Sequence, residues 1–148
     1  MSRVRLIVPK LRMVIAENHL AMLAQLCQVM GDEYEIVRTA DNGFEACDAV
    51  LDLQPDVVVM DISMPGLDGL LATQRLRREK CRAKIILLSD YDDPDFIAAA
   101  FSSGADCYVA KARLSMDLEP AIRIALQGSH FISKSDGITE LSSASRER

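Results

Sequence analysis

No stretch of about eighteen consecutive apolar residues occurs in the 148-residue chain, so no segment reads as a membrane-crossing helix. No secretory leader is expected from the first ten residues either. The apolar start, Val4-Arg5-Leu6-Ile7-Val8, is short and broken by arginine. Paired cysteine spacing is absent: Cys27, Cys47, Cys81 and Cys107 stand far apart, with no C-x-x-C and only two histidines in the chain. That pattern disfavours a zinc site and reads as buried free thiols in a reducing cytosol, so the expected location is cytoplasmic. Positive charge is not in excess. A net charge of −5 argues against nonspecific nucleic-acid binding by this chain. There is no internal repeat.

What is present is an alternation of short apolar runs and amphipathic stretches, in a chain that is 49% apolar and long enough for one core. The runs are Leu11 to Ala16, the more polar Glu33 to Arg38, the pure Asp56 to Met60, Ala83 to Leu88, and Asp106 to Ala110. Apolar runs without strict alternation suit strands covered on both faces. Between them, Asn18 to Met30 carries Leu20, Leu23, Cys27 and Met30 on one face, with Gly31 as a stop. Asp41 or Asn42 can cap a second helix, and Gly66 to Glu79 reads as a third with a basic end. Asp93-Pro94 reads as cap and first position of a fourth, ending at Gly104. Ser115 to Gln127 is the fifth, with Pro120 implying a start near Asp117.

Five strands alternating with five helices predict an α/β fold: a doubly wound (βα)₅ unit with a five-stranded parallel sheet in the order 2-1-3-4-5. The expected organisation is an N-terminal extension over 1–10, one domain over 11–128, and a polar, serine-rich linker or tail over 129–148. In such sheets ligands bind beyond the carboxyl ends of the strands.

The polar residues at those ends form a set. Strand one ends in Glu17-Asn18, strand three in Asp61, strand four in Ser89, and strand five in Ala110-Lys111. A carboxylate can attack phosphorus, magnesium takes oxygen ligands, lysine supplies a point charge, and a serine hydroxyl donates a hydrogen bond. Each residue also has a plainer reading. Asp61 could be a loop residue or helix cap, Asn18 could cap the first helix, Ser89 alone means little, and Lys111 alone would be a surface lysine. The agreement of four strand ends favours phosphoryl chemistry.

The segments Met13-Val-Ile-Ala-Glu-Asn-His19, Pro55 through Gly69 with its Asp61-x-x-Met-Pro-x-x-Asp-Gly run, Ile85-Ile-Leu-Leu-Ser89 and Gly104-Ala-Asp-Cys-Tyr108-Val-Ala-Lys111 resemble receiver domains of the CheY type. The resemblance spans roughly Leu11 to Gly128. It implies a flavodoxin-like fold in which Asp61 accepts a phosphoryl group from a sensor histidine kinase. It further implies Mg2+ held by Glu17, Asn18, Asp61 and the backbone carbonyl of Ser63. Lys111 and Ser89 would assist, and Ser89 and Tyr108 would form a switch pair. On phosphorylation the strand-four hydroxyl moves toward the phosphoryl group and the strand-five aromatic turns inward, changing the face of helix four, strand five and helix five. That face is also the expected surface of a homodimer.

The sequence departs from the family pattern at three places. Asn18 stands where a second carboxylate is usual, which predicts magnesium affinity weaker by at least about tenfold. Asp90 stands where a small residue is usual; it could crowd the site, replace the charge missing at Asn18, or point to solvent. Ser89 replaces the commoner threonine. The stretch Ala121 to Ile132 resembles the end of NarL/LuxR-subfamily receivers, which precede a helix-turn-helix domain. The expectation is a regulator fragment, favoured over a stand-alone receiver, that reaches DNA only through a domain absent from this chain, with no membrane partner. The alternative is a phosphorylation-independent pseudo-receiver that acts as an interaction module. An enzyme is disfavoured: Ser63 stands where an aspartyl-phosphate phosphatase of the haloacid dehalogenase type needs a second aspartate, and no phosphate loop for a flavin follows strand one.

Overall fold

A computed structural model describes residues 8–137 and 139–142; of the extension expected over 1–10, residues 1–7 lie outside the described residues. The chain runs β1 (Leu11–Ala16), α1 (Leu20–Met30), β2 (Tyr34–Ala40), α2 (Gly43–Leu53), β3 (Val57–Asp61), α3 (Gly69–Arg78), β4 (Lys84–Ser89), α4 (Pro94–Ser103), β5 (Cys107–Ala110), a 3-10 turn (Lys111–Arg113), α5 (Leu114–Leu126), β6 (His130–Ser133) and β7 (Thr139–Ser142). The sheet order is β2-β1-β3-β4-β5-β6-β7. The expected 2-1-3-4-5 core is therefore present, but the five-stranded count is corrected to seven among the described residues. The segment read as linker or tail supplies the additional strands. β6 pairs parallel to β5 and β7 antiparallel to β6. The physical reason is that the outer edge of β5 would otherwise present unpaired N–H and C=O groups.

Alternation along the central strands sorts side chains to two faces. Val58 and Met60 point to the side covered by α2, α3 and α4, where Val50, Leu76 and Ala100 are also buried. Val57 and Val59 point to the side covered by α1 and α5, with Leu26, Leu118 and Ile122. Cys47 and Cys107 are buried and Cys27 and Cys81 half-buried, all free. Burial pushes the Cys107 thiol up to about 12, as expected of an inert core residue.

Helix starts follow side-chain caps. The Asn42 side chain accepts from the Glu45 N–H, Asp68 from Leu71 and Asp93 from Phe96, with Pro94 opening α4 and Gly104 closing it at φ 112°. Three boundaries differ from expectation. α1 begins at Leu20 with His19 in the cap position, so Asn18 is not the cap. α3 begins at Gly69, because Gly66 at φ 78° is in a turn rather than a helix. α5 begins at Leu114 and keeps Pro120 inside. Pro120 has no N–H to give the Met116 carbonyl one turn earlier, so the helix forgoes one backbone bond there.

Candidate functional site

The carboxyl ends of four adjacent strands meet at one rim. Asp61 is the last residue of β3 and pairs with Leu88, so Ser89 stands one step beyond it on β4. Ser89 pairs with Ala110, the residue before Lys111. Glu17 follows β1, and its N–H is fixed by the carbonyl of Ala40 at 2.9 Å. Gly69 keeps the geometry close behind Asp61. Its N–H donates to the Ile62 carbonyl at 2.7 Å, and a Cβ there would lie 2.6 Å from the Asp61 carbonyl oxygen. This is the physical demand behind the glycine that ends the Asp61-x-x-Met-Pro-x-x-Asp-Gly run.

Lys111 Nζ lies 2.7 Å from Asp61 Oδ2 and 3.5 Å from Glu17 Oε1. The backbone N–H of Ser63 donates to Asp61 Oδ1 at 3.0 Å. Asp61 is 1% exposed and Glu17 fully buried, yet their neighbours are polar rather than an apolar seal. Burial pushes the Asp61 carboxyl up and the Glu17 charge adds to this, against the lowering bonds from Lys111 and Ser63. Burial works to lower Lys111, but the bond to Asp61 and the charges of Asp61, Glu17 and Asp90 outweigh it, and the ammonium stays raised above its ordinary value.

Two acceptors at this rim, Glu17 Oε1 and Asn18 Oδ1, are buried without a hydrogen-bond partner. Buried acceptors are costly when unmatched, and a hard cation is the group they lack. Ligand atoms of Glu17, His19 and Asp61 lie within 4.8 Å of one another, a spacing one ion can bridge. The donor set therefore fits a divalent cation. The sequence pattern gives His19 no role. Its N–H donates to Glu17 Oε2 at 3.0 Å and its Nδ1 lies 3.2 Å from the same oxygen, which orients the carboxylate. Its position two residues after Glu17, at a helix start, was the available signal. Asp90 is exposed, so of its three expected orientations the solvent-facing one is found, although its charge still reaches Lys111.

The residues expected as a switch pair share one connecting loop. Ser89 Oγ accepts from the Tyr91 N–H at 2.9 Å, and the Tyr108 hydroxyl donates to the Tyr91 carbonyl. Tyr108 is fully buried. A separate cleft of about 490 Å³, bordered by Val50, Gln54, Lys80 and Lys84, opens at the amino ends of the strands and contains none of these residues. Among the described residues no helix is long and apolar enough to cross a membrane.

The family profile described as the response regulator receiver domain matches residues 13–123. The chain belongs to that family. Receiver domains are signalling domains, and response regulators of the LuxR family are among the solved structures this chain is similar to, in line with the NarL/LuxR resemblance. The oxygen regulatory protein NreC of Staphylococcus carnosus is 34% identical over 125 residues, covering 82% of this chain and 58% of that protein. The uncharacterized transcriptional regulatory protein YvfU of Bacillus subtilis is also 34% identical, covering 83% and 62%. This chain thus spans less than two thirds of the length of both relatives. The crystal structure of a LuxR-family two-component response regulator from Aurantimonas superposes with a TM-score of 0.76 at 28% identity, covering 80% of this chain and 86% of that one.

Proposed function

We propose that Asp61 is a phosphoacceptor, that it takes its phosphoryl group from a phosphohistidine of a sensor histidine kinase, and that the receiver controls transcription through a helix-turn-helix domain carried on a longer chain. The observation that carries this reading is the buried carboxylate of Asp61 held 2.7 Å from Lys111, beside buried acceptors of Glu17 and Asn18 that have no hydrogen-bond partner. A carboxylate oxygen of Asp61 attacks phosphorus, the P–N bond breaks, and the donor imidazole nitrogen keeps the electron pair and is protonated. Glu17, Asn18, Asp61 and the Ser63 carbonyl would hold Mg2+, which supplies charge neutralisation between the two anions when bound. Lys111 leaves its bond to Asp61 for a phosphoryl oxygen. Ser89 donates its hydroxyl to another oxygen, and Tyr108 reads the change through Tyr91.

The test is incubation with magnesium and acetyl phosphate or phosphoramidate, followed by intact mass. A phosphoryl adduct is expected, absent in Asp61→Asn and formed about a hundredfold more slowly in Lys111→Met, the scale for losing one buried charge partner of a transferring group. No adduct at saturating magnesium would sink the reading. A pseudo-receiver would require a broken chemical set, and apart from Asn18 the set is intact.

A further inference from the structure

The segment after α5 reaches back to the loop that joins β4 to α4. β6 seats Phe131 in the core on the α1–α5 side of the sheet and packs Ile132 against the core on the opposite side. His130 stacks on Phe101 of α4 at 5.2 Å, and Ser133 Oγ donates to Asp117 of α5 at 2.5 Å. Beyond β6, in a turn closed by Gly137 N–H on the Lys134 carbonyl at 2.9 Å, Ser135 donates to Asp92 Oδ2 through both its N–H, at 2.9 Å, and its hydroxyl, at 2.5 Å.

Asp92 is adjacent in sequence to Tyr91, the residue whose N–H holds Ser89 and whose carbonyl holds the Tyr108 hydroxyl. The loop Asp90-Tyr-Asp-Asp93 carries three carboxylates in four residues. Asp93 spends its charge on the N-terminus of α4, and Ser135 supplies two donors to Asp92. One short loop is therefore bonded at one end to the switch pair and at the other to the C-terminal segment.

We propose that the segment from His130 to Gly137 is a clamp on the β4–α4 loop, and that its docking is reciprocally linked to phosphorylation of Asp61, each strengthening the other. The inference rests on the functional reading above. The direction follows from Tyr108. The clamp is docked in the arrangement where that ring is buried and bonded to the Tyr91 carbonyl, which is the inward position expected of the phosphorylated state. Two events that favour the same loop conformation stabilise one another, and the linkage must be equal in both directions.

The test is hydrogen exchange read by mass on the full chain, with and without Mg2+ and beryllofluoride as phosphoryl mimic, with the adduct followed separately by fluorine NMR. Amides of 130–137 are expected to exchange about fivefold more slowly with the adduct present, the lower end of typical site-to-site coupling. In Ser135→Ala, amides of 90–93 are expected to exchange faster without any ligand, and beryllofluoride to bind about fivefold more weakly. Ser135→Thr, which keeps the hydroxyl, restores both, and Ser102→Ala on exposed α4 changes neither. Unchanged exchange over 130–137 when the adduct forms overturns the linkage while leaving the phosphoacceptor reading intact. Unchanged exchange over 90–93 in Ser135→Ala overturns the clamp itself. Failure of the adduct to form overturns the functional reading and the phosphoryl half of this inference together.

Discussion

At the scale of single residues, the site is a contest between burial and charge pairing. Glu17 and Asp61 are both carboxylates with almost no exposure, and one lysine stands between them at 3.5 and 2.7 Å. One ammonium cannot match two carboxylates, and the excess negative charge is what would draw in a divalent cation. Asn18 weakens that pull, since its amide oxygen contributes a dipole where a carboxylate would contribute a full charge. Asn18→Asp is therefore expected to tighten Mg2+ binding by about tenfold, the usual scale for a change near a metal. Calorimetric magnesium titration of both proteins checks it; equal affinities would show that the residue 18 side chain does not face the ion.

At the scale of elements, α5 and β6 are joined through a buried carboxylate. Asp117 accepts from Ser133 Oγ at 2.5 Å and from Arg113 Nε at 2.8 Å. Burial alone pushes its carboxyl up, but these bonds outweigh burial and hold it below the ordinary value. A depressed folded value means that the bond contributes stability above the unfolded pKa, near 3.9, and loses it as pH falls through the folded value. Asp117→Asn is expected to cost about 1–3 kcal/mol at pH 7, as for a charged hydrogen bond broken in a buried setting. The gap between the two proteins should close below about pH 4. Urea melts at several pH values would reveal this, and a pH-independent gap would count against the ion pair. The same junction marks the limit of what sequence carried. β1, β3, β4 and β5 were readable to within a residue or two, because continuous apolar runs such as Val57 to Met60 need two covered faces. Asp61, Glu17 and Lys111 were readable because they close those runs. β6 was not, since Phe131-Ile132 is two apolar residues in a polar stretch and becomes a strand only by pairing with β5. Nor was the Asp92–Ser135 bond, which joins residues 43 apart with no local pattern.

At the scale of the whole molecule, the C-terminal strands change what the α4–β5–α5 face can do. In the five-stranded sheet expected from sequence, β5 would be an open edge and that face a ready surface for a second copy. Here β6 pairs with β5 through Cys107 to Phe131 and Tyr108 to Ile132, and the edge moves outward to β7. Ending the chain after Gly128 would return the edge to β5 and remove one largely buried phenylalanine, one half-buried isoleucine and the Ser133 bond to Asp117. The two side chains together are worth about 2–4 kcal/mol at the usual rate for burial, so the shortened protein should fold with a lower denaturant midpoint. Its exposed β5 edge, flanked by the apolar surface that Phe131 covered, should also make it associate as its concentration rises, because an unpaired edge next to apolar surface is a template for another chain. Denaturant melts and sedimentation over a concentration series measure both effects. A shortened protein as stable and as monomeric as the parent would mean that β6 merely lies on the sheet, and that the face beside β5 is set by α4 and α5 alone.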